Sequence, residues 1–460
     1  MIANILDTII APATAPGVGA IAIIRLSGKE AITICNKVFK GKDLTKQETH
    51  TIHFGTIVEG DIIIDEVLVS IFKTPRSFTK ENVVEISCHG SNYIIAKIIR
   101  LLIATGARYA KPGEFTQRAF LNGRFDLAQA EAVADLIASD SEASHLAAMN
   151  QMRGGISHEI KLLRDELIGF AALIELELDF SEEDVEFADR SQLRNLVIKI
   201  QSMLFELLNS FQLGNAIKTG VSTVIAGRPN AGKSTLLNTL LNEDRAIVSE
   251  IAGTTRDTIE EKLVIKGVEF RLIDTAGIRE ATDAIEAIGV EKTYQKIRLS
   301  ALLIYIFDAS TLSIDEARAD ILELTKHGIP FIVVANKMDL LPAGTLINPL
   351  PETMNESVIR ISADKKENIE ALKNELYNIV VAGRSLADSA IVTNARHYEA
   401  LSKSREALLK VQEGLDTRIT GDFLAQDIRQ SLYYLGTITG EIDIDKDILG
   451  AIFGKFCIGK

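Results

Sequence analysis

Cysteine is scarce and scattered: Cys35, Cys88 and Cys457 are the three in the chain. Their spacing offers neither a disulfide framework nor a metal knuckle, and suits a reducing compartment. No uninterrupted apolar run approaches the roughly 20 residues that a membrane helix requires, so no membrane span is expected. The opening residues, Met1-Ile2-Ala3-Asn4-Ile5, lack a basic segment followed by a long apolar core, so no export signal is expected and a cytoplasmic location is. Low-complexity tracts and clear internal repeats are missing as well. So is an excess of basic charge. The net charge of −13 argues against broad, non-specific binding to nucleic acid. The charge is uneven, however: residues 1–120 carry 14 Lys/Arg against 11 Asp/Glu. Any RNA contact must therefore come from local patches.

What is present is a globular composition, 47% hydrophobic and 25% charged over 460 residues, which suggests two to three domains. In the N-terminal third, Ile21 to Ile24 reads as a strand. Thr51 to Ile57 and Ile62 to Phe72 read as a hairpin turning at Glu59-Gly60-Asp61, and Val83 to Ser87 as a short strand that ends at Cys88-His89-Gly90. A helix is expected from about Ser91 to Thr105. Glu85 sits in an otherwise apolar strand, and Arg25 stands at the end of one. Either can be a solvent-facing alternating position or a buried group that reads a polar ligand. Cys88 and His89 are adjacent in a strand and so point to opposite faces, which discounts a thiol–imidazole pair.

From about Phe125 the pattern turns helical. Leu127, Ala130, Ala134 and Ile137 mark one face, and Ile160, Leu163, Leu167, Ala171, Ile174 and Leu178 a second. A third helix is expected from about Ser191 to Phe211, with further helices over Thr393 to Gln412 and Asp422 to Tyr434. Gly214 and Gly220 read as an entry linker and Gly383 as an exit. The simplest architecture is a helical bundle with another domain inserted into it. The expected partition is 1–118, 119–215, 216–383 and 384–460, the second and fourth segments forming the bundle.

The inserted segment opens with Gly227-Arg228-Pro229-Asn230-Ala231-Gly232-Lys233-Ser234-Thr235, between an apolar strand (221–226) and a helix. This is the phosphate-loop pattern in the context that gives it meaning. Its glycines let backbone N–H groups curl around a phosphate, and the helix N-terminus adds partial positive charge. Lys233 can reach β- and γ-phosphate oxygens, and the Ser234 hydroxyl can ligate Mg2+. Phe331 to Ala335 reads as a strand ending in Asn336-Lys337-Met338-Asp339. A carboxylate at Asp339 can accept from guanine N1–H and the 2-amino group, a donor pair that adenine lacks, so the nucleotide is expected to be GTP. Val358 to Ile361 leads into Ser362-Ala363-Asp364, whose backbone can contact the guanine oxygen. Between these lie two switch segments. In the first, Thr255 of Gly253-Thr254-Thr255-Arg256-Asp257 offers a second Mg2+ ligand. In the second, Asp274-Thr275-Ala276-Gly277, Asp274 would hold Mg2+ through water and Gly277 N–H would contact the γ-phosphate. A water-orienting Gln is missing after Gly277. Ile278 stands there and cannot orient water, so catalysis must use another group, with Arg279, Glu280, Asp283 and Glu286 as candidates. Asn230, with carbonyls from Ser249, Glu250, Ile251, Ala252 and Gly253, could cage a monovalent cation that neutralises developing charge.

These motifs resemble the bacterial and organellar tRNA modification GTPase family MnmE, also called TrmE. The resemblance runs the length of the chain. It is carried by the phosphate loop, by Ile251 to Asp257, Asp274 to Gly277 and Asn336 to Asp339, and more specifically by Pro112-Gly113-Glu114-Phe115-Thr116-Gln117-Arg118-Ala119-Phe120-Leu121-Asn122, Asp126 to Ala132 and the terminal Phe456-Cys457-Ile458-Gly459-Lys460. It implies a multidomain α/β protein: an N-terminal α+β folate-binding module, a helical bundle and an inserted Ras-like GTPase domain with a mostly parallel sheet. It places contacts to 5-formyl- or methylene-tetrahydrofolate on Arg25, Glu85, Arg124 and Lys460. The third position is commonly Lys in the family, and Arg124 keeps the charge but changes its geometry. The resemblance also implies a homodimer, K+ held by Asn230, Ser249, Ile251 and Thr254, and attacking water positioned by Glu286. The implied partners are the flavoprotein MnmG and tRNA. Together the two proteins would add a carboxymethylaminomethyl or aminomethyl group to C5 of a wobble uridine. Ribosome-assembly GTPases share much of the motif set but usually add a second GTPase domain or a KH module, and neither is found. A folate-dependent aminomethyltransferase with a regulatory GTPase domain is the third reading.

Overall fold

The computed structural model describes residues 7–179, 189–244, 260–274, 300–326, 328–342, 344–345, 347–350, 358–381, 391–417, 419–441 and 459. The chain divides into two compact units. One comprises Met1–Ile137, Gln151–Ser202 and Ala400–Lys460, and the other Ala138–Asn150 and Met203–Glu399.

The first unit holds a seven-stranded sheet. Its strands are β1 (Ile9–Pro12), β2 (Gly19–Ser27), β3 (Phe39–Lys40), β4 (Thr51–Glu59), β5 (Ile62–Phe72), β6 (Val83–Gly90) and β7 (Arg108–Tyr109), in the order β3-β4-β5-β6-β2-β1-β7. All neighbours are antiparallel except β1 and β7. The expected hairpin is present, with Gly60 in the left-handed region that its turn needs. Alternation divides the sheet into two faces. Ala22, Ile24 and Leu26 of β2 and Val84, Ile86 and Cys88 of β6 pack under helices α1 (Ala31–Val38) and α2 (Asn92–Ala104). The intervening Arg25 and Glu85 therefore face the other side, opposite one another in register. β6 runs on to Gly90, past the expected end. There it meets Gly19, whose carbonyl oxygen would lie 2.4 Å from a Cβ at position 90. Cys88 is buried while His89 is exposed and bonded to Asp65, so the two do point apart.

The helices outside the sheets are α3 (Glu114–Leu121), α4 (Leu127–Ala138), α5 (Glu142–Met152), α6 (Gly155–Asp179), α7 (Arg190–Thr219), and two more over Ala395–Thr417 and Gly421–Thr439. The α6 stripe from Ile160 to Ile174 is buried as its period predicts; Leu178 lies outside the described side chains. In α4 Leu127 and Ala130 of the expected face are buried and Ala134 packs against them, but Ala128, Glu131 and Ala132 are buried as well and Ile137 is 50% exposed. Gly214 is no linker. It lies inside α7, which continues past Phe211 to Thr219. A Cβ there would sit 2.1 Å from the Val392 carbonyl oxygen, so close packing explains the glycine. Gly220 does end the helix, at φ +77. Gly383 lies outside the described residues.

The second unit contains a six-stranded sheet of β8 (Val221–Ala226), β9 (Glu260–Ile265), β10 (Val268–Asp274), β11 (Leu302–Asp308), β12 (Phe331–Asn336) and β13 (Val358–Arg360), in the order β13-β12-β11-β8-β10-β9. Only β9 runs antiparallel to its neighbour. The central strands are almost wholly buried, as their continuous apolar runs require in a parallel sheet. Helices α8 (Lys233–Asp244), Ile314–Leu324 and Ile369–Val381 flank the strands in sequence. Among the described residues no helix is long and apolar enough to cross a membrane.

Candidate functional site

The phosphate loop leaves the C-terminal end of β8 and enters α8, where ligands bind in open parallel sheets. Its backbone is special at three points. Gly227 packs so tightly that a Cβ would lie 2.0 Å from the Ile306 carbonyl oxygen, Asn230 is left-handed at φ 62, and Gly232 is at φ +97. Such backbone recurs at anion sites, because it turns successive N–H groups inward. Lys233 folds over the loop and donates to the Gly227 and Arg228 carbonyls at 2.8 and 2.9 Å. Ser234 and Thr235 stand at the start of α8, both exposed. Arg228 points away from the loop and makes a bidentate pair with Asp320 and a contact to Glu316, both on the helix Ile314–Leu324.

The Asn336-Lys337-Met338-Asp339 motif is joined to this loop through the Asn336 side chain. Asn336 is 2% exposed. It donates from Nδ2 to the Ala231 carbonyl at 2.9 Å, and its Oδ1 accepts from the Ala363 N–H at 3.0 Å. Thr239 of α8 donates to the Ala363 carbonyl at 3.0 Å, which closes the link. Lys337 is left-handed at φ 62, and its Nζ lies 2.6 Å from Asp308 Oδ2. Burial pushes the Asp308 carboxyl up, but hydrogen bonds from Lys337 and Ser310 outweigh it and hold the group below the usual carboxylate range. Asp339 is exposed in a short 3-10 turn, Met338–Leu340. Ser362 is held by reciprocal backbone bonds to Glu367.

β10 is parallel to β8, with Asp274 beside Ile225, so its backbone ends at the same sheet edge as the phosphate loop. A hydroxyl at Ser234 on that edge suits a hard, oxygen-liganded cation such as Mg2+. The Asp274 side chain, Ser249, Glu250, Ile251, Ala252, Gly253, Thr254, Thr255, Thr275, Ala276, Gly277, Glu286, Cys457 and Lys460 lie outside the described residues or side chains.

A second site lies in the first unit. Glu85 Oε1 accepts from Arg25 Nε at 2.8 Å. Arg25 also donates to the Gly459 carbonyl at 3.4 Å, so residue 459 returns to the sheet. Gly459 is at φ +97, and a Cβ there would fall 1.9 Å from the Pro12 carbonyl oxygen. Phe78 stands between two guanidinium groups, with Arg25 5.7 Å and Arg124 5.3 Å from its ring centre. Glu85, Phe78 and Arg124 line one cleft of about 570 Å3.

The wall of this cleft is the loop between β5 and β6, which α3 and the residues after it hold in place. Arg118 pairs with Glu81, Asn122 donates to the Thr79 carbonyl, Lys80 donates to the Gly123 carbonyl and Arg124 to the Ser77 carbonyl. Arg118 and Glu114, whose side chains are each 2% exposed, form an ion network with Asp7 and Arg108. This gives the Pro112–Asn122 motif a structural role in the cleft wall. Sequence reasoning missed Phe78, Ser77 and this network. The available signal was an aromatic residue inside a Pro- and Ser-containing loop that faces a charged strand position.

A phosphate loop and an Asn-Lys-Met-Asp motif at one edge of a mostly parallel sheet define the P-loop GTPase class. A family model described as the MnmE helical domain matches residues 127–457, and one described as the GTP-binding protein TrmE N-terminus matches residues 8–124. The chain is 56% identical over 459 residues to the tRNA modification GTPase MnmE of Cytophaga hutchinsonii, covering 100% of this chain and 99% of that protein. It is 54% identical to the tRNA modification GTPase MnmE of Flavobacterium psychrophilum, over 99% of each. The chain belongs to the MnmE family of tRNA modification GTPases. Among solved structures it is similar to a variant of Aquifex aeolicus Era bound to GDP and AlF4−, at 28% identity over 41% of this chain and 67% of that one, with a TM-score of 0.28.

Proposed function

We propose that the chain hydrolyses GTP and, with the flavoprotein MnmG, adds a carboxymethylaminomethyl or aminomethyl group to C5 of the wobble uridine of certain tRNAs, in the cytoplasm and as a homodimer. The observation that carries the GTPase part is the Asn336 bridge, because it holds the base-reading and phosphate-reading loops in one rigid frame. Lys233 would hold β- and γ-phosphate oxygens, and Ser234 and Thr255 would hold Mg2+. Asn230, Ser249, Ile251 and Thr254 would hold K+, and Glu286 would position water. The working partition is a folate-binding domain (1–118), a GTPase domain (216–383) and a helical domain built from 119–215 and 384–460.

The folate part rests on the cleft in the first unit. A half-buried carboxylate at Glu85 suits the paired N–H donors of a pterin ring, and Arg25 balances its charge. Arg124 and Lys460 supply cations. When bound, a reduced folate would provide the one-carbon unit. The test of the whole is the wobble-base composition of tRNA from cells with and without the protein. Loss of the modified uridine on deletion is expected, and unchanged wobble uridine refutes the proposal.

A further inference from the structure

On the footing of that folate assignment, we propose that the cleft carries a second subsite, for the γ-linked oligoglutamyl tail of the folate, and that the protein selects polyglutamylated over monoglutamylated forms. The cleft's charge carries the argument. Its lining holds one carboxylate, Glu85, against three cations, Arg76, Lys80 and Arg124. Glu85 is already matched by Arg25 at 2.8 Å, so the remaining positive charge is not spent on it. Lys80 and Arg124 are tied to backbone carbonyls, of Gly123 and Ser77. Among the described residues neither these two nor Arg76 pairs with a carboxylate. In a chain with 63 acidic and 50 basic residues, a concave site that sets three cations against a single carboxylate, itself already paired with Arg25, is a selective feature.

The wall is also fixed in shape. His50 and Lys80 are both non-glycine residues in the left-handed region, at φ 63 and 58. Such backbone persists where the surroundings over-determine it, and it concentrates at ligand sites. Lys80 is pinned to Gly123 at 2.6 Å, and His50 stacks edge-on against Phe72 at 5.5 Å. The cations share one cavity with Glu85 and Phe78, the groups that suit a pterin and its aromatic linker. A tail that leaves the same cavity meets them without a separate docking surface. Each added glutamyl unit brings one more carboxylate to the rim.

The test is equilibrium binding of the full-length protein to 5-formyl-tetrahydrofolate bearing one or three glutamyl residues, at low and high salt. At low salt the triglutamate should bind about 3- to 10-fold tighter, the range expected of partly exposed ion pairs. The ratio should shrink at high salt as screening shortens the reach of the charges. Arg76→Gln and Lys80→Gln should each move the ratio toward one, whereas Glu85→Gln should weaken both ligands in parallel. Arg76 is exposed, so its variant folds. Equal binding of the two ligands by the unmodified protein overturns the tail subsite and leaves folate binding intact. No binding of either ligand removes the folate assignment itself. If Arg76→Gln keeps the ratio but weakens tRNA binding, the rim serves phosphodiesters and the proposal is overturned.

Discussion

Replacing Asn336 by alanine isolates the connection between the two halves of the nucleotide site. The side chain satisfies two backbone groups at once, the Ala231 carbonyl and the Ala363 N–H, at 2.9 and 3.0 Å. Both residues are 1% exposed, so water does not readily replace the lost partner. A buried polar group left unsatisfied costs about 1–3 kcal/mol, which puts the pair at about 2–6 kcal/mol. Relaxation of the Ala363 loop toward Thr239 recovers part of this. Even the lower bound lowers affinity by about 30-fold if it falls on the binding-competent loop. The assay is titration of a fluorescent GDP analogue, alongside thermal unfolding of the same variant. Asp339→Asn is the comparison, because Asp339 is exposed and belongs to the base-reading turn alone. That variant should unfold like the parent yet lose preference for guanine and gain xanthine, whose C2 carbonyl accepts from the new amide. Asn336→Ala should weaken both bases and unfold at lower temperature. If it binds GDP within a few-fold of the parent and unfolds unchanged, the bridge does not organise the site.

Gly232→Ala would place a methyl group 2.2 Å from Asn336 Nδ2 at φ +97; a cost of about 1–3 kcal/mol and loss of nucleotide binding in the same titration are expected. In the first unit, burial pushes the Glu114 carboxyl up, but bonds from Arg108 and the Lys111 amide, with the charge of Arg108 and Arg118, outweigh it and hold the group below its usual value. Its stabilisation is therefore complete above the ordinary value of 4.5 and is lost as pH falls through the lower folded value. Denaturant unfolding of Glu114→Gln across the acid range should show lower stability at neutral pH and a flatter acid limb, and an acid limb as steep as the parent's would sink the argument. GTP hydrolysis should be faster in KCl than in NaCl, and equal rates would remove the monovalent cage around Asn230.

Chemistry carried by neighbouring residues is legible in the sequence. The phosphate loop, the Asn336-Lys337-Met338-Asp339 turn and the strands that deliver them are local patterns, each interpretable because donor spacing and hydrophobic period act over a few residues. The same holds for the β4–β5 hairpin and the α6 stripe, and for the opposed directions of Cys88 and His89. Gly214 misleads for the converse reason. A glycine in a helix looks like a break, and only the approach of Val392, 178 positions away by the numbering, shows it as a contact. Ile137 fits the helical period yet is 50% exposed in the last turn of α4, because how far along the helix its face is covered depends on its neighbours and not on its own pattern.

The amino-acid sequence alone determined that this is a P-loop protein that reads guanine and lacks the usual Gln after Gly277, because those properties reside in short runs of fixed residue types. It also set Arg25 and Glu85 in strands, without saying whether they touched. Tertiary structure decided that they pair, that Phe78 stands between Arg25 and Arg124, and that Gly459 closes against Pro12. It decided too that Asn336 clamps Ala231 to Ala363. Each of these joins residues distant in the chain, whose distances follow from sheet order and register rather than from local propensity.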